Sequence, residues 1–182
     1  IEARAKPQVF HHENIAIFFW NLHVDKVQMK RKSPTSNILE NEADSPPTIL
    51  VIFGASGDLT ARKLAPAIFN LSMDGLLPSE CSIIGYGRQQ MSDPEFKAYL
   101  KNSLNAHSRR KIEGKAWDDL EHKISFHAGS YDDLKSFEEL KLKIEGIEKQ
   151  LGCPLQCLFY ISTPPGVFKP ILENLGKSGL AK

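Results

Sequence analysis

Apolar residues along this chain fall into short unbroken runs, separated by longer stretches in which they recur every three or four positions. Ile49-Leu50-Val51-Ile52-Phe53 follows Thr48 and is closed by Gly54. Consecutive apolar residues bounded by glycine read as a strand buried on both faces. From Leu59 to Met73 the apolar positions Leu64, Ile68, Leu71 and Met73 have helical spacing, with Ala65 and Ala67 between them. Pro66 lies past the first turn of that helix and is expected to bend it, and Gly75 is expected to end it. Cys81 to Tyr86 predicts a second strand running into Gly87-Arg88, and Ser92-Asp93-Pro94-Glu95 predicts a capped helix start. That helix should run to Asn105, with the polar and basic stretch Ala106–Trp117 as a surface connection. Ile124–Ala128 alternates and predicts a third strand. Asp132-Asp133 opens a helix to Leu151 with Leu134, Phe137, Leu140, Ile144 and Ile147 on one stripe. Leu155–Ile161 predicts a fourth strand, and Val167–Leu175 a helix ended by Gly176.

Strand and helix alternate throughout this region. The fold class is therefore α/β: a Rossmann-like parallel sheet with helices on both faces, right-handed crossovers, and an incomplete C-terminal end. In such sheets ligands bind beyond the carboxyl ends of the strands. The chemistry should follow Phe53, Tyr86, Ala128 and Ile161.

Residues 1–47 read differently. The first residue is Ile1, and the first methionine is Met29, followed by Lys30-Arg31-Lys32-Ser33-Pro34 and a polar, proline-containing stretch to Pro47. That composition predicts an irregular leader over 1–47, ahead of a domain over 48–182. Met29 is a candidate true start, with 1–28 as upstream sequence read in frame. The alternatives are a short partner-binding helix at Ile15–Leu22 or a targeting presequence; Glu2, Glu13 and Asp25 argue against a transit peptide. The Ile15–Leu22 run is too short for a membrane span, which needs about 20 apolar residues.

The chain has 182 residues, 41% hydrophobic and 25% charged, with a formal net charge of +1. There is no broad field to attract nucleic acid or a membrane, and neither is expected as a partner. Three cysteines argue against a disulfide scaffold and fit a reducing compartment, hence the cytoplasm. Cys153 and Cys157 lack two further ligands nearby, so no metal site is expected.

Candidate chemistry begins after the first strand, at Gly54-Ala55-Ser56-Gly57-Asp58-Leu59-Thr60-Ala61. Glycine at 54 and 57 permits a tight turn and close approach to a pyrophosphate, and the following helix aims its N–H groups at the same anion. Ser56 can add a hydroxyl donor, and Asp58 sits where a cap is useful. Two glycines after a strand also suit a purely structural turn, and the spacing is neither G-x-G-x-x-G nor a Walker loop. At the end of the second strand an NAD site usually carries an acid for the ribose 2′-hydroxyl. Here Gly85-Tyr86-Gly87-Arg88 places an arginine, which suits the 2′-phosphate of NADP; the competing reading is a solvated surface arginine.

Taken together, Gly54-Ala55-Ser56-Gly57-Asp58-Leu59, Arg62-Lys63-Leu64-Ala65-Pro66, Gly85-Tyr86-Gly87-Arg88 and Leu158-Phe159-Tyr160-Ile161-Ser162-Thr163-Pro164-Pro165 resemble the glucose-6-phosphate dehydrogenase family. The family patterns are G-A-[ST]-G-D-L, R-K-L-x-P, G-x-A-R and L-F-Y-L-A-x-P-P, and the resemblance runs from Thr48 to Gly179. It implies that Gly54 to Ala61 wrap the coenzyme phosphates, with Ser56 and Arg88 near the 2′-phosphate. It also implies that Tyr160 and the Thr163-Pro164-Pro165 turn shape the nicotinamide wall, where a packing role competes, and that Phe168 replaces a tyrosine found in relatives. The family's E-K-P-x-G segment, catalytic histidine and second domain are expected beyond Lys182, so no catalytic residue is assigned here. The resemblance further implies NADP as cofactor, glucose 6-phosphate as substrate at a site mostly outside this chain, and a homo-oligomeric full-length protein. Alternatives are a non-catalytic NADP-binding module or another Rossmann-fold reductase, although no Tyr-x-x-x-Lys pair is present.

Overall fold

The computed structural model describes residues 9–12, 15–20, 46–112 and 114–181. Strands β1 (Val9–His12), β2 (Ile15–Trp20), β3 (Thr48–Phe53), β4 (Cys81–Gly87), β5 (Ile124–Ala128) and β6 (Gln156–Ile161) form one sheet in the order β1-β2-β6-β3-β4-β5. Helices are α1 (Ala65–Met73), α2 (Asp93–His107), α3 (Gly114–Glu121), α4 (Leu134–Leu151) and α5 (Phe168–Lys177).

The four strands from β3 onward pair in parallel, as their unbroken apolar runs predict. Ile49, Val51 and Phe53 turn one way, into a core with Phe137, Leu140 and Ile144 of α4 and Ile171 and Leu175 of α5. Ile52 turns the other way, against Phe69 of α1, Phe96 and Leu100 of α2, and Trp117 and Leu120 of α3. Helices thus cover both faces. The chain moves outward from β3 to β4 and β5, then crosses back to place β6 on the other side of β3. The reversal opens a crevice beyond the carboxyl ends of β3 and β6.

Several expectations are corrected. Within the stretch read as an irregular leader, residues 9–12 and 15–20 are strands; β2 adds antiparallel to β6, beside the expected four-stranded parallel sheet. Ile15–Trp20 is therefore not a partner-binding helix. Its β-branched and aromatic run suits a strand, and the otherwise unpaired edge of β6 supplies the ladder. Met29, the polar stretch 29–45 and Lys182 lie outside the described residues. The stretch read as a surface connection ends in the first turn of α3, whose Trp117 is 2% exposed. Gly176 lies inside α5, and the left-handed glycine follows at Gly179, with φ 75°.

Pro66 does more than bend a helix. A π-helical turn over Thr60–Leu64 precedes α1, and Ala65 N–H reaches back to Thr60 O. The widened turn places Pro66 at the start of α1. There its missing N–H costs little, and its ring avoids the carbonyl it would strike inside a regular helix. By contrast, Ser92 caps α2 as expected: its hydroxyl accepts from Glu95 N–H, and the Glu95 carboxylate accepts from Ser92 N–H at 2.7 Å.

Candidate functional site

A cleft of about 270 Å³ lies at the topological reversal, between the loop after β3 and the turn after β6. Gly54, Ser56 and Gly57 form one wall, Arg88, Gln89 and Tyr131 a second, and Ser162, Thr163, Pro164 and Val167 a third. The small enclosed void of about 20 Å³ among α1, α2 and α3 is apolar and too small for a ligand of this kind.

The loop is shaped by its own backbone. Gly54 N–H and Ala55 N–H both donate to Tyr86 O, at 2.9 and 3.2 Å, and Gly57 N–H donates to Gly54 O at 2.9 Å. These bonds engage three amides of the loop. The amides of Ser56 and Asp58 make no backbone bond among the described residues, so they are the donors available to an anion in front of the helix. Gly54 has φ 81°, a left-handed conformation suited to glycine, whereas Gly57 is not among the positive-φ glycines.

Arg88 projects from the end of β4, with its guanidinium carbon 5.7 Å from the centroid of the Tyr131 ring. Tyr131 is 7% exposed, and burial raises its phenol pKa while the neighbouring Arg88 charge opposes the rise. It therefore remains a neutral platform at physiological pH and holds the guanidinium by cation–π attraction. Among the described residues lining the cleft, Arg88 is the charged one, with the Asp132 carboxylate near enough to feel its charge.

Among the residues expected at a coenzyme site, Gly54, Ser56, Gly57, Arg88 and Pro164 line this cleft. Others do not. Ala55 is fully buried and packs in the core. Asp58 makes no helix-capping bond at the π turn; its exposed carboxylate lies 3.7 Å from Arg62 Nε. Leu59 and Ala61 are part of the helix start and do not line the cleft. Thr60 is 1% exposed, and its hydroxyl is engaged by Gly54 O and Ser162. Tyr160 packs toward α1 and α2, and Phe168 against the opposite core, so neither reaches the cleft. Thr163, expected with Pro164 in the turn after β6, also lines the cleft, whereas Gln89, Tyr131, Ser162 and Val167 were not anticipated as lining residues. Gln89 directly follows the arginine, and Tyr131 stands at the third strand end, so position offered a signal for both.

The sequence model described as "Glucose-6-phosphate dehydrogenase, NAD binding domain" matches residues 51–182. The chain belongs to the glucose-6-phosphate dehydrogenase family. It is 37% identical over 142 residues to the glucose-6-phosphate 1-dehydrogenase of Chlamydia pneumoniae, covering 78% of this chain and 28% of that protein. It is 35% identical over 136 residues to glucose-6-phosphate 1-dehydrogenase 2 of Mycobacterium bovis, covering 75% and 26%. A solved glucose-6-phosphate dehydrogenase in complex with its substrate glucose-6-phosphate superposes with a TM-score of 0.65 at 32% identity, over 73% of this chain and 28% of that one. The Mycobacterium avium enzyme matches with a TM-score of 0.65 at 28% identity. The chain thus spans little more than a quarter of the length of these family members.

Proposed function

We propose that this chain is the NADP-binding part of a glucose-6-phosphate dehydrogenase. The complete protein would oxidise glucose 6-phosphate to 6-phosphogluconolactone at the entry to the oxidative pentose phosphate pathway. The observation carrying the coenzyme reading is Arg88, held over Tyr131 at the mouth of a cleft whose described lining residues include no acid. A carboxylate there would suit a ribose 2′-hydroxyl and repel a 2′-phosphate; a guanidinium does the reverse.

Ser56 N–H and Asp58 N–H are placed to meet the pyrophosphate, and Ser56 Oγ lies on the Arg88 side of the loop, close to Gly87. Pro164 and Val167 offer an apolar flank for the nicotinamide end. NADP, when bound, supplies the hydride acceptor. The lining residues bind and orient; among the described ones none is a carboxylate, histidine or lysine that could act as a general base for a sugar hydroxyl. We therefore expect coenzyme binding without turnover from these 182 residues alone. The whole protein is read as a homo-oligomer. The three free cysteines favour a cytoplasmic location, while one relative, from Nicotiana tabacum, is chloroplastic.

A charge-assisted hydrogen bond is worth about 1.5–3 kcal/mol. Arg88 should therefore favour NADP over NAD by roughly one to two orders of magnitude. Titrating the purified chain and an Arg88→Ala variant with both coenzymes tests this, with folding checked by circular dichroism. The expected result is tighter NADP binding by the wild type that falls to the NAD value in the variant. A folded wild type with no preference for NADP would remove the core of this reading.

A further inference from the structure

The residue that follows β6 is serine in this chain, where the family pattern L-F-Y-L-A-x-P-P has alanine. Ser162 is 9% exposed, and its Oγ lies 3.2 Å from the hydroxyl of Thr60, a residue 102 positions away that is 1% exposed. Thr60 Oγ1 also lies 3.1 Å from Gly54 O. Each hydroxyl has one proton. If Thr60 donates its proton to the Gly54 carbonyl, Ser162 donates to Thr60, and the three groups form a single directed chain. Gly54 O then accepts from both Gly57 N–H and Thr60, which fills its two lone pairs and holds the carbonyl on the protein side. Ser162 is also tied by its backbone, with Ser162 N–H donating to Phe53 O at 2.8 Å.

We infer that Thr60 and Ser162 form a buried hydroxyl staple that fixes the phosphate loop to β6. With the Gly54 carbonyl held inward, the loop that carries Ser56 along the cleft wall is fixed before any ligand arrives. Both residues are positioning residues: Thr60 acts through Gly54, and Ser162 through Thr60. The inference rests on the coenzyme reading of the cleft. Preorganised donors need no reordering when an anion binds, so loosening the loop should appear as lost coenzyme affinity.

The test titrates NADP into the chain and into Thr60→Val, Thr60→Ser, Ser162→Ala and Thr60→Val/Ser162→Ala variants, with thermal melts alongside. Thr60→Val and Ser162→Ala should each weaken NADP binding about three- to tenfold, the range expected for one buried hydrogen bond. Thr60→Ser, which keeps the hydroxyl, should stay within about twofold of wild type. The double variant should be no weaker than the poorer single variant, since both remove one chain of bonds. Folded Thr60→Val and Ser162→Ala variants with wild-type affinity, even with lowered melting temperatures, would overturn the staple and leave the coenzyme reading intact. A folded wild type that binds neither NADP nor NAD would overturn both. If Thr60→Val does not fold, Thr60→Ala takes its place in the cycle, because Ser162 itself lines the cleft and Ser162→Ala alone does not separate a lost contact from a loosened loop.

Discussion

Replacing Gly54 with alanine should destabilise the chain as a whole. Gly54 occupies φ 81°, where an L-residue costs about 1–2 kcal/mol. The new Cβ would also stand 2.4 Å from Ser162 O and 2.9 Å from both Ser162 C and Thr163 Cγ2, inside the 3.4–4 Å of ordinary contact. The closest of these is backbone at the end of β6, which cannot swing aside as a flexible side chain would. Such overpacking adds about 1–3 kcal/mol, for a total near 2–5 kcal/mol. That is a large fraction of a typical domain stability of about 5–15 kcal/mol. At about 2–4 °C per kcal/mol for a domain of this size, the melting temperature should fall by at least about 4 °C. Gly57→Ala is the control. Its φ is not in the left-handed region, and its nearest contact would be Gly54 O at 3.1 Å, so it should stay within about 1 kcal/mol of wild type. Urea unfolding followed by circular dichroism measures both, with equal m-values required for the comparison. A Gly54→Ala midpoint equal to wild type, or a Gly57→Ala loss as large as that of Gly54→Ala, would refute the argument.

Two further outcomes follow from side chains outside the cleft. On the open edge of β5, Phe126 N–H donates to Asp93 Oδ1 and Lys143 Nζ donates to Phe126 O, each at 2.6 Å, so both outward backbone groups of the central residue are already engaged. An Asp93→Ala/Lys143→Met variant should self-associate with concentration in sedimentation velocity, and adding Ala128→Pro to block strand addition should reverse it; a variant as monodisperse as wild type would contradict the guard role. His127 Nε2 donates to Ser136 O at 2.9 Å, and burial, with Lys143 nearby, holds the imidazole pKa below its ordinary value near 6.5. The sign follows from the unfolded chain binding the proton more readily: the contribution of neutral His127 is complete above about pH 6.5 and is lost as pH falls toward the lowered folded value. Stability measured from pH 7.5 to 5 should therefore fall less in His127→Gln than in wild type, and parallel curves would exclude His127 as the source.

The parallel core was legible because its strands are buried on both faces, which leaves an unbroken apolar run at Ile49–Phe53 and glycine punctuation at Gly54, Gly75 and Gly87. What escaped had no such local signature. Helix α3 is short and polar along most of its length, with Trp117 and Leu120 its two buried residues, so its sequence resembles a loop until those side chains meet the core. The π turn at Thr60–Leu64 follows from Pro66 only when the clash with the preceding turn is worked out in three dimensions. Strands β1 and β2 sit in sequence far from β6, and nothing within Ile15–Trp20 names the edge that pairs with it.

The candidate site divides along the same line. Gly54, Gly57 and Arg88 were readable because each is defined by its place at the end of a strand, and strand ends are local features. Tyr131 and Thr60 were not, because their roles depend on partners elsewhere. Tyr131 lies below Arg88 only because β5 pairs with β4, bringing the third strand end beside the second. Thr60 was assigned to the coenzyme from its position in the loop, yet the pairing of β6 with β3 brings Ser162 to its hydroxyl and turns it inward. A loop residue between two strands therefore has two claimants for each polar group, the ligand in front and the neighbouring strand behind. Burial separates the two cases: the guanidinium of Arg88 is exposed beside the Tyr131 ring, while the buried hydroxyl of Thr60 is engaged by Gly54 O and Ser162.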